Sequence, residues 1–260
     1  MRRLALPAAL LVFAIGVTGA SAELVGSADQ IVSFDATISP SRLPRDRLVP
    51  IRIRAEGKIR EAAKNRLAQL RSFEIAINRH GKLLMSGLPA CHRQQLIATS
   101  PRAALASCQQ ALVGHGKVRA RELWPEQKPF PIKGGLLAFN GRYKGSRVIF
   151  MHVHSRRPPA TVIVPLYVRQ ISGTFGTTLS AHMPERVKSW AYLTYFRFVI
   201  GRRFTYRGEE SGFVRASCPA PHGADEAILP FARVTFRFLT SKTLRTTLVR
   251  ACYVRNEDQP

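Results

Sequence analysis

From Val32 onward, apolar and polar side chains alternate one by one through most of the chain, and this period of two restricts the fold to strands. Val32, Phe34, Ala36 and Ile38 fall on one side of an extended backbone, with Ser33, Asp35 and Thr37 on the other. Ile51 and Ile53 oppose Arg52 and Arg54. Phe73, Ile75 and Ile77 oppose Glu74, Ala76 and Asn78. Val118 and Ala120 oppose Lys117, Arg119 and Arg121. Each pattern describes a strand with one face in a core and one in water.

Further strands are predicted at 135–140, 147–154, 161–169, 177–183, 190–200, 212–217, 231–239 and 244–254. In the stretch 190–200, alternation puts Trp190, Tyr192, Thr194, Phe196, Phe198 and Ile200 on one side. That is the most apolar stripe in the chain, so Trp190, Phe196 and Phe198 are expected to be buried. Turn chemistry at Asn140-Gly141, Gly145-Ser146, Arg157-Pro158-Pro159 and Gly173 separates the strands. Helical patterns are few. Ser100-Pro101 is a cap and first-turn pair for a short helix over Ala103–Leu112, and residues 59–70 form either a second helix or a loop. The fold class that follows is all-β, an antiparallel β-sandwich-like domain with a short disulfide-tethered helix. The proline-rich stretch from Trp124 to Pro131 divides two β units or crosses between sheets, which places a sub-unit boundary near 124–134 within one composite domain, 23–260.

Residues 1–22 have the layout of an export signal. Arg2 and Arg3 precede an apolar run from Leu4 to Thr18, and Ala20-Ser21-Ala22 is a small-x-small cleavage site before Glu23. The run is too short for a membrane span, so no transmembrane segment is expected after cleavage. In a secreted or cell-surface protein the four cysteines are expected to be oxidised. Of three possible connectivities, Cys91–Cys108 with Cys218–Cys252 closes two local loops. Loop entropy values those closures at about 3 and about 4 kcal/mol.

Lys and Arg number 40 against 16 acids, a formal charge of +24. Such a surface attracts polyanions, although an arginine-rich codon usage gives the same balance. Arg52, Arg54, Lys117, Arg119, Arg121, Arg233 and Arg237 stand on the polar faces of strands. On one sheet they would make a platform able to grip phosphate or carboxylate in a forked geometry.

Catalytic signatures are sparse. His152 and His154 share a strand face roughly 7 Å apart, as in many two-histidine metal pairs. His182 or Glu185 would be needed as a third ligand, and two histidines on a solvated face are the simpler reading. There is no G-x-S-x-G elbow. A glycosidase would need the fold to bring together two of Glu56, Glu74, Glu122 and Glu185. No cofactor signature is present.

The phrases AINRHGKL (76–83), GLPAC (87–91), ALVGHG (111–116), LAFNG (137–141), GTFGTTL (173–179) and SCPAP (217–221) resemble a group of exported hypothetical proteins of actinobacteria. The resemblance implies export and a shared β-rich fold, and it assigns no site. The expected function is a non-catalytic exported protein that binds an anionic cell-wall polymer or another polyanion. The alternative is a secreted hydrolase whose site is assembled only in three dimensions.

Overall fold

The computed structural model describes residues 22–27, 30–62, 68–97, 99–124, 126–240 and 242–255. The export signal, apart from Ala22, and much of the 59–70 segment, including Ala63 and Leu67, lie outside the described residues, as does the side chain of Trp190. The first strands are β1 (Glu23–Gly26), β2 (Gln30–Ser39), β3 (Arg42–Leu43), β4 (Val49–Glu61), β5 (Leu70–Asn78) and β6 (Gly81–Leu83). A helix, α1 (Pro101–Cys108), precedes β7 (Leu112–Glu122), β8 (Phe130–Tyr143), β9 (Ser146–Arg156), β10 (Pro159–Gln170) and β11 (Phe175–His182). A six-residue helix, α2 (Glu185–Trp190), leads into β12 (Ala191–Ile200). The chain ends through β13 (Arg203–Tyr206), β14 (Glu209–Gly212), β15 (Val214–Ala216), β16 (Glu226–Phe238) and β17 (Thr243–Val254).

Fifteen of these strands form one sheet, in the order β1-β2-β4-β12-β7-β8-β9-β10-β11-β5-β16-β17-β3, with β15 and β6 attached beside β4. Pairing is antiparallel except for β3 on β17. Right-handed twist accumulating over so many strands curls the sheet into a half-barrel, and its two limbs face each other as the layers of a sandwich would. Val32, Phe34 and Ala36 on β2 pack across the interior against Val234, Phe236 and Leu248 on the opposite limb. Arg250 on β17 ties the limbs together at the seam. Its guanidinium donates to Asp35 Oδ1 at 2.5 Å and to the Ala36 carbonyl at 3.3 Å, and reaches Glu23 at 3.5 Å.

Two covers complete the fold. One end of the half-barrel is plugged by the 83–89 and 213–220 segments, which bring Met85, Phe213 and Val214 into the core beside the Cys218–Cys252 disulfide. Asn140, 3% exposed, holds this plug by donating its amide to the carbonyls of Met85, Leu88 and Pro89 at 3.0–3.1 Å. The other cover is a flap, residues 91–111, on the outer face of β8, β9 and β10. Ser100 caps α1 by accepting from the Ala103 N–H at 3.2 Å, Pro101 opens it, and Cys108 pairs with Cys91 across a Cα–Cα distance of 5.7 Å. Leu96, Ala104 and Cys108 bury Phe139, Val148 and Phe150 beneath the flap.

The structure differs from the sequence expectations in several places. Asn140-Gly141 is not a turn but lies inside β8. A side chain at Gly141 would meet the Phe150 ring at 2.6 Å and the Cys91 carbonyl at 2.7 Å, so the glycine serves close packing. The hairpin is made instead by Lys144 and Gly145, both at positive φ, as a two-residue turn of that hand requires. The proline-rich stretch is a hairpin loop between β7 and β8, which pair from Glu122↔Phe130 onward within one sheet. The helix α1 stops at Cys108 and continues as a 3-10 turn through Ala111. A register shift between Leu193 and Tyr195 breaks the stripe read in β12, so Ala191 and Leu193, rather than Tyr192 and Thr194, share the inner face with Phe196 and Phe198.

Candidate functional site: an apolar cavity inside the half-barrel

Register alone defines the inner wall. One row of inward residues runs Gly57–Phe196–Val118–Gly134–Ser155–Ala160 across β4, β12, β7, β8, β9 and β10. The next row toward the plug runs Ala55–Phe198–Gly116–Leu136–Val153–Val162. Phe196 lies flat against Gly57, where a Cβ would come within 2.4 Å of its ring. Small residues dominate the other end of the wall: Ala120, Gly134, Ala160 and Ala191. Side chains of this size cannot reach the opposite limb, where Phe73, Ile75 and Phe236 stand. The result is a cavity of about 220 Å³ with an almost wholly apolar lining. Phe196 and Phe198 are therefore only half-buried, packing against core residues on one side and facing this space on the other.

The polar groups of the wall gather at the end away from the plug. Glu122 ends β7 in phase with Val118 and Ala120, so its side chain faces inward and is only 8% exposed. It makes no hydrogen bond or ion pair with any described residue. Ser155, also buried, donates to the Arg157 carbonyl at 3.3 Å. Arg186 on α2 borders the same space but is exposed to solvent. The other acids weighed for a hydrolase stand elsewhere. Glu56 is on the outer face of β4, 3.9 Å from Arg197; Glu74 faces away from Phe73 and Ile75; Glu185 pairs with Lys188 at 2.5 Å on α2. Among the described residues, the fold brings one carboxyl group, that of Glu122, to the cavity.

The basic residues divide into two sets. Arg52 and Arg54 on β4 and Lys117, Arg119 and Arg121 on β7 are all exposed on the convex face, on strands separated only by β12. Between them β12 contributes Arg197, and Tyr195, whose ring lies 5.2 Å under the Arg119 guanidinium. Lys58 and Lys133 extend the same face, and among the described residues its charge is offset by the long contacts from Glu56 and from Glu61 (3.9 Å to Arg121). Arg233 and Arg237 belong to β16 on the other limb, with Arg233 stacked 4.7 Å over Phe175, so they are not part of that face. Other arginines cap carbonyls: Arg45 those of Ala220, Pro221 and Ala224, and Arg202 those of Gln109, Gln110 and Leu112.

His152 and His154 do share a face, with rings stacked 6.5 Å apart, but the flap covers it. His152 is fully buried, its Nε2 within 3.1 Å of Thr99 Oγ1 and 3.0 Å of the Thr99 carbonyl. His154 Nδ1 lies 2.9 Å from Thr161 Oγ1, which itself donates to the Thr99 carbonyl. Burial is the larger cause holding His152 below its ordinary pKa of 6.5, with neighbouring His154 adding to it; the hydrogen bond at Thr99 acts the other way. The pair fastens the flap. Among the described residues no three His, Cys, Asp or Glu side chains are grouped to hold a metal ion.

Comparison with protein-family models, curated proteins and solved structures finds no match for this chain. Sequence reasoning missed the cavity and α2. One signal was present, because Glu122 continues the apolar phase of Val118 and Ala120 and an acid on that face needs a reason.

Proposed function

We propose that this is an exported, non-catalytic binding protein that holds an apolar or amphiphilic molecule inside its half-barrel. The cavity carries this reading. A concave, partly open apolar space beside a well-packed core forfeits dispersion and burial energy unless a ligand supplies it. Its size sets the ligand class. About 220 Å³ exceeds the roughly 150 Å³ that admits benzene and falls short of the roughly 300 Å³ of the smallest drug-type sites. A medium-length alkyl chain or one ring system suits that space. Export is supported by the N-terminal leader and by two disulfides, which persist in oxidising compartments. Among the described residues no helix is long and apolar enough to cross a membrane. Titration with a polarity-sensitive naphthalene dye should reveal one saturable site from which a medium-chain alkanol displaces the dye. Unsaturable binding, or none, would overturn the reading.

The convex face supports a second, compatible activity, contact with an anionic cell-wall polymer or another polyanion. Its support is the adjacency of Arg52, Arg54, Lys117, Arg119 and Arg121 on one continuous surface. Polyanion affinity should fall steeply with salt, and neutralising Arg52, Arg54, Arg119 and Arg121 should weaken it without unfolding the domain. Binding that is unchanged by those four substitutions would leave the charge as a matter of composition.

A further inference from the structure

We infer that the Glu122 end of the cavity is a headgroup subsite, and that the ligand is an amphiphile whose head donates hydrogen bonds or carries positive charge. The inference rests on the proposed apolar binding and names what the cavity selects. Glu122 is more than nine-tenths buried, stands on the inner face of its strand and makes no contact with any described donor. Its carboxylate oxygens are not sealed off, so the group opens onto the cavity and can accept from a donor placed there. Among the described residues the neighbouring wall offers it no donor. Ala120, Ala191 and Ile132 are apolar, and the Ser155 hydroxyl is already donating to Arg157. Arg186 is exposed and solvated, so its charge needs no partner from the ligand.

A bound molecule meets both surfaces if its chain lies along Val118, Leu136 and Val153 and its head reaches Glu122. An ammonium group would add a charge-assisted hydrogen bond, and a hydroxyl an ordinary one. A carboxylate head would meet like charge in a site of low dielectric.

The test compares decylamine, decan-1-ol and decanoate, with naphthalene as a headless reference, on the full chain. General electrostatics favour decanoate on a protein with a formal charge of +24, so the subsite predicts the opposite order from the surface. The expected order is decylamine, then decanol, with decanoate at least about tenfold weaker than decylamine. Glu122→Gln, nearly equal in shape, should remove most of the preference for decylamine over decanoate. If wild-type protein binds decanoate as well as decylamine, or Glu122→Gln keeps the order, the headgroup subsite is overturned and apolar binding stands. If neither naphthalene nor any decyl compound binds, both readings fall.

Discussion

The two ends of one interior are built from the same strands and packed to different degrees. At the plugged end, Ile38, Ile53 and Ile200 form an inward row, the 83–89 and 213–220 segments close over it, and the remaining void is about 40 Å³. At the other end, the same strands carry Ala120, Gly134, Ala160 and Ala191, α2 borders the interior through Arg186 and Val187, and about 220 Å³ remains. A fold that can pack one end this well has the means to pack the other. The hollow is written into the size of a few side chains, which is why we assign it a function. Stability belongs to the plugged end and binding to the open one.

The sharpest way to break this comparison is to delete one aromatic ring from each end. Phe213 is fully buried in the plug, and Phe213→Ala should cost about 3–5 kcal/mol in chemical denaturation. Phe196 already faces the cavity on one side, so Phe196→Ala should cost less than about 2 kcal/mol, because fewer contacts are lost. Equal losses would mean that both ends are packed alike.

The flap offers a middle-sized test. Replacing Cys91 and Cys108 with serine should destabilise by about 3 kcal/mol through loop entropy while leaving ligand affinity unchanged, since the flap lies on the outer face of the sheet. Loss of ligand binding in a folded Cys91/Cys108 variant would place the flap in the site.

The smallest effect concerns pH. The groups facing His152 are Thr99 and His154, and no acid among the described residues contacts it. Because burial lowers its folded pKa, its contribution to stability is complete above 6.5 and is lost as pH falls from there through the folded value. Denaturation midpoints should therefore drop between about pH 7.5 and about pH 5, and His152→Gln should flatten that difference. An unchanged slope in His152→Gln would remove His152 from the clamp.

Much of the strand content and both disulfides were legible in the chain, because alternation and local cysteine spacing are encoded residue by residue. Strand order was not. Whether Arg52 neighbours Arg119 or Arg237 depends on β12 inserting between β4 and β7, a pairing of distant segments that no local pattern records. The cavity was hidden for the same reason. Ala120, Gly134 and Ala160 are unremarkable alone and become a hollow only when register sets them side by side. The burial expected of Phe198 failed through this same collective property, since its inward direction was read correctly and the space in front of it was not. Tyr192 and Thr194 failed through a bulge, which shifts the phase of a strand without changing its composition.

The claim that the open end of the interior is a binding site is tested most directly by calorimetric titration of decan-1-ol into wild-type protein and Ala120→Phe. The wild type should bind at one site with a negative heat-capacity change, the mark of apolar burial. In Ala120→Phe the added ring occupies the cavity, so binding should vanish while thermal stability holds or rises. Undiminished decanol binding by a stably folded Ala120→Phe protein would contradict the account.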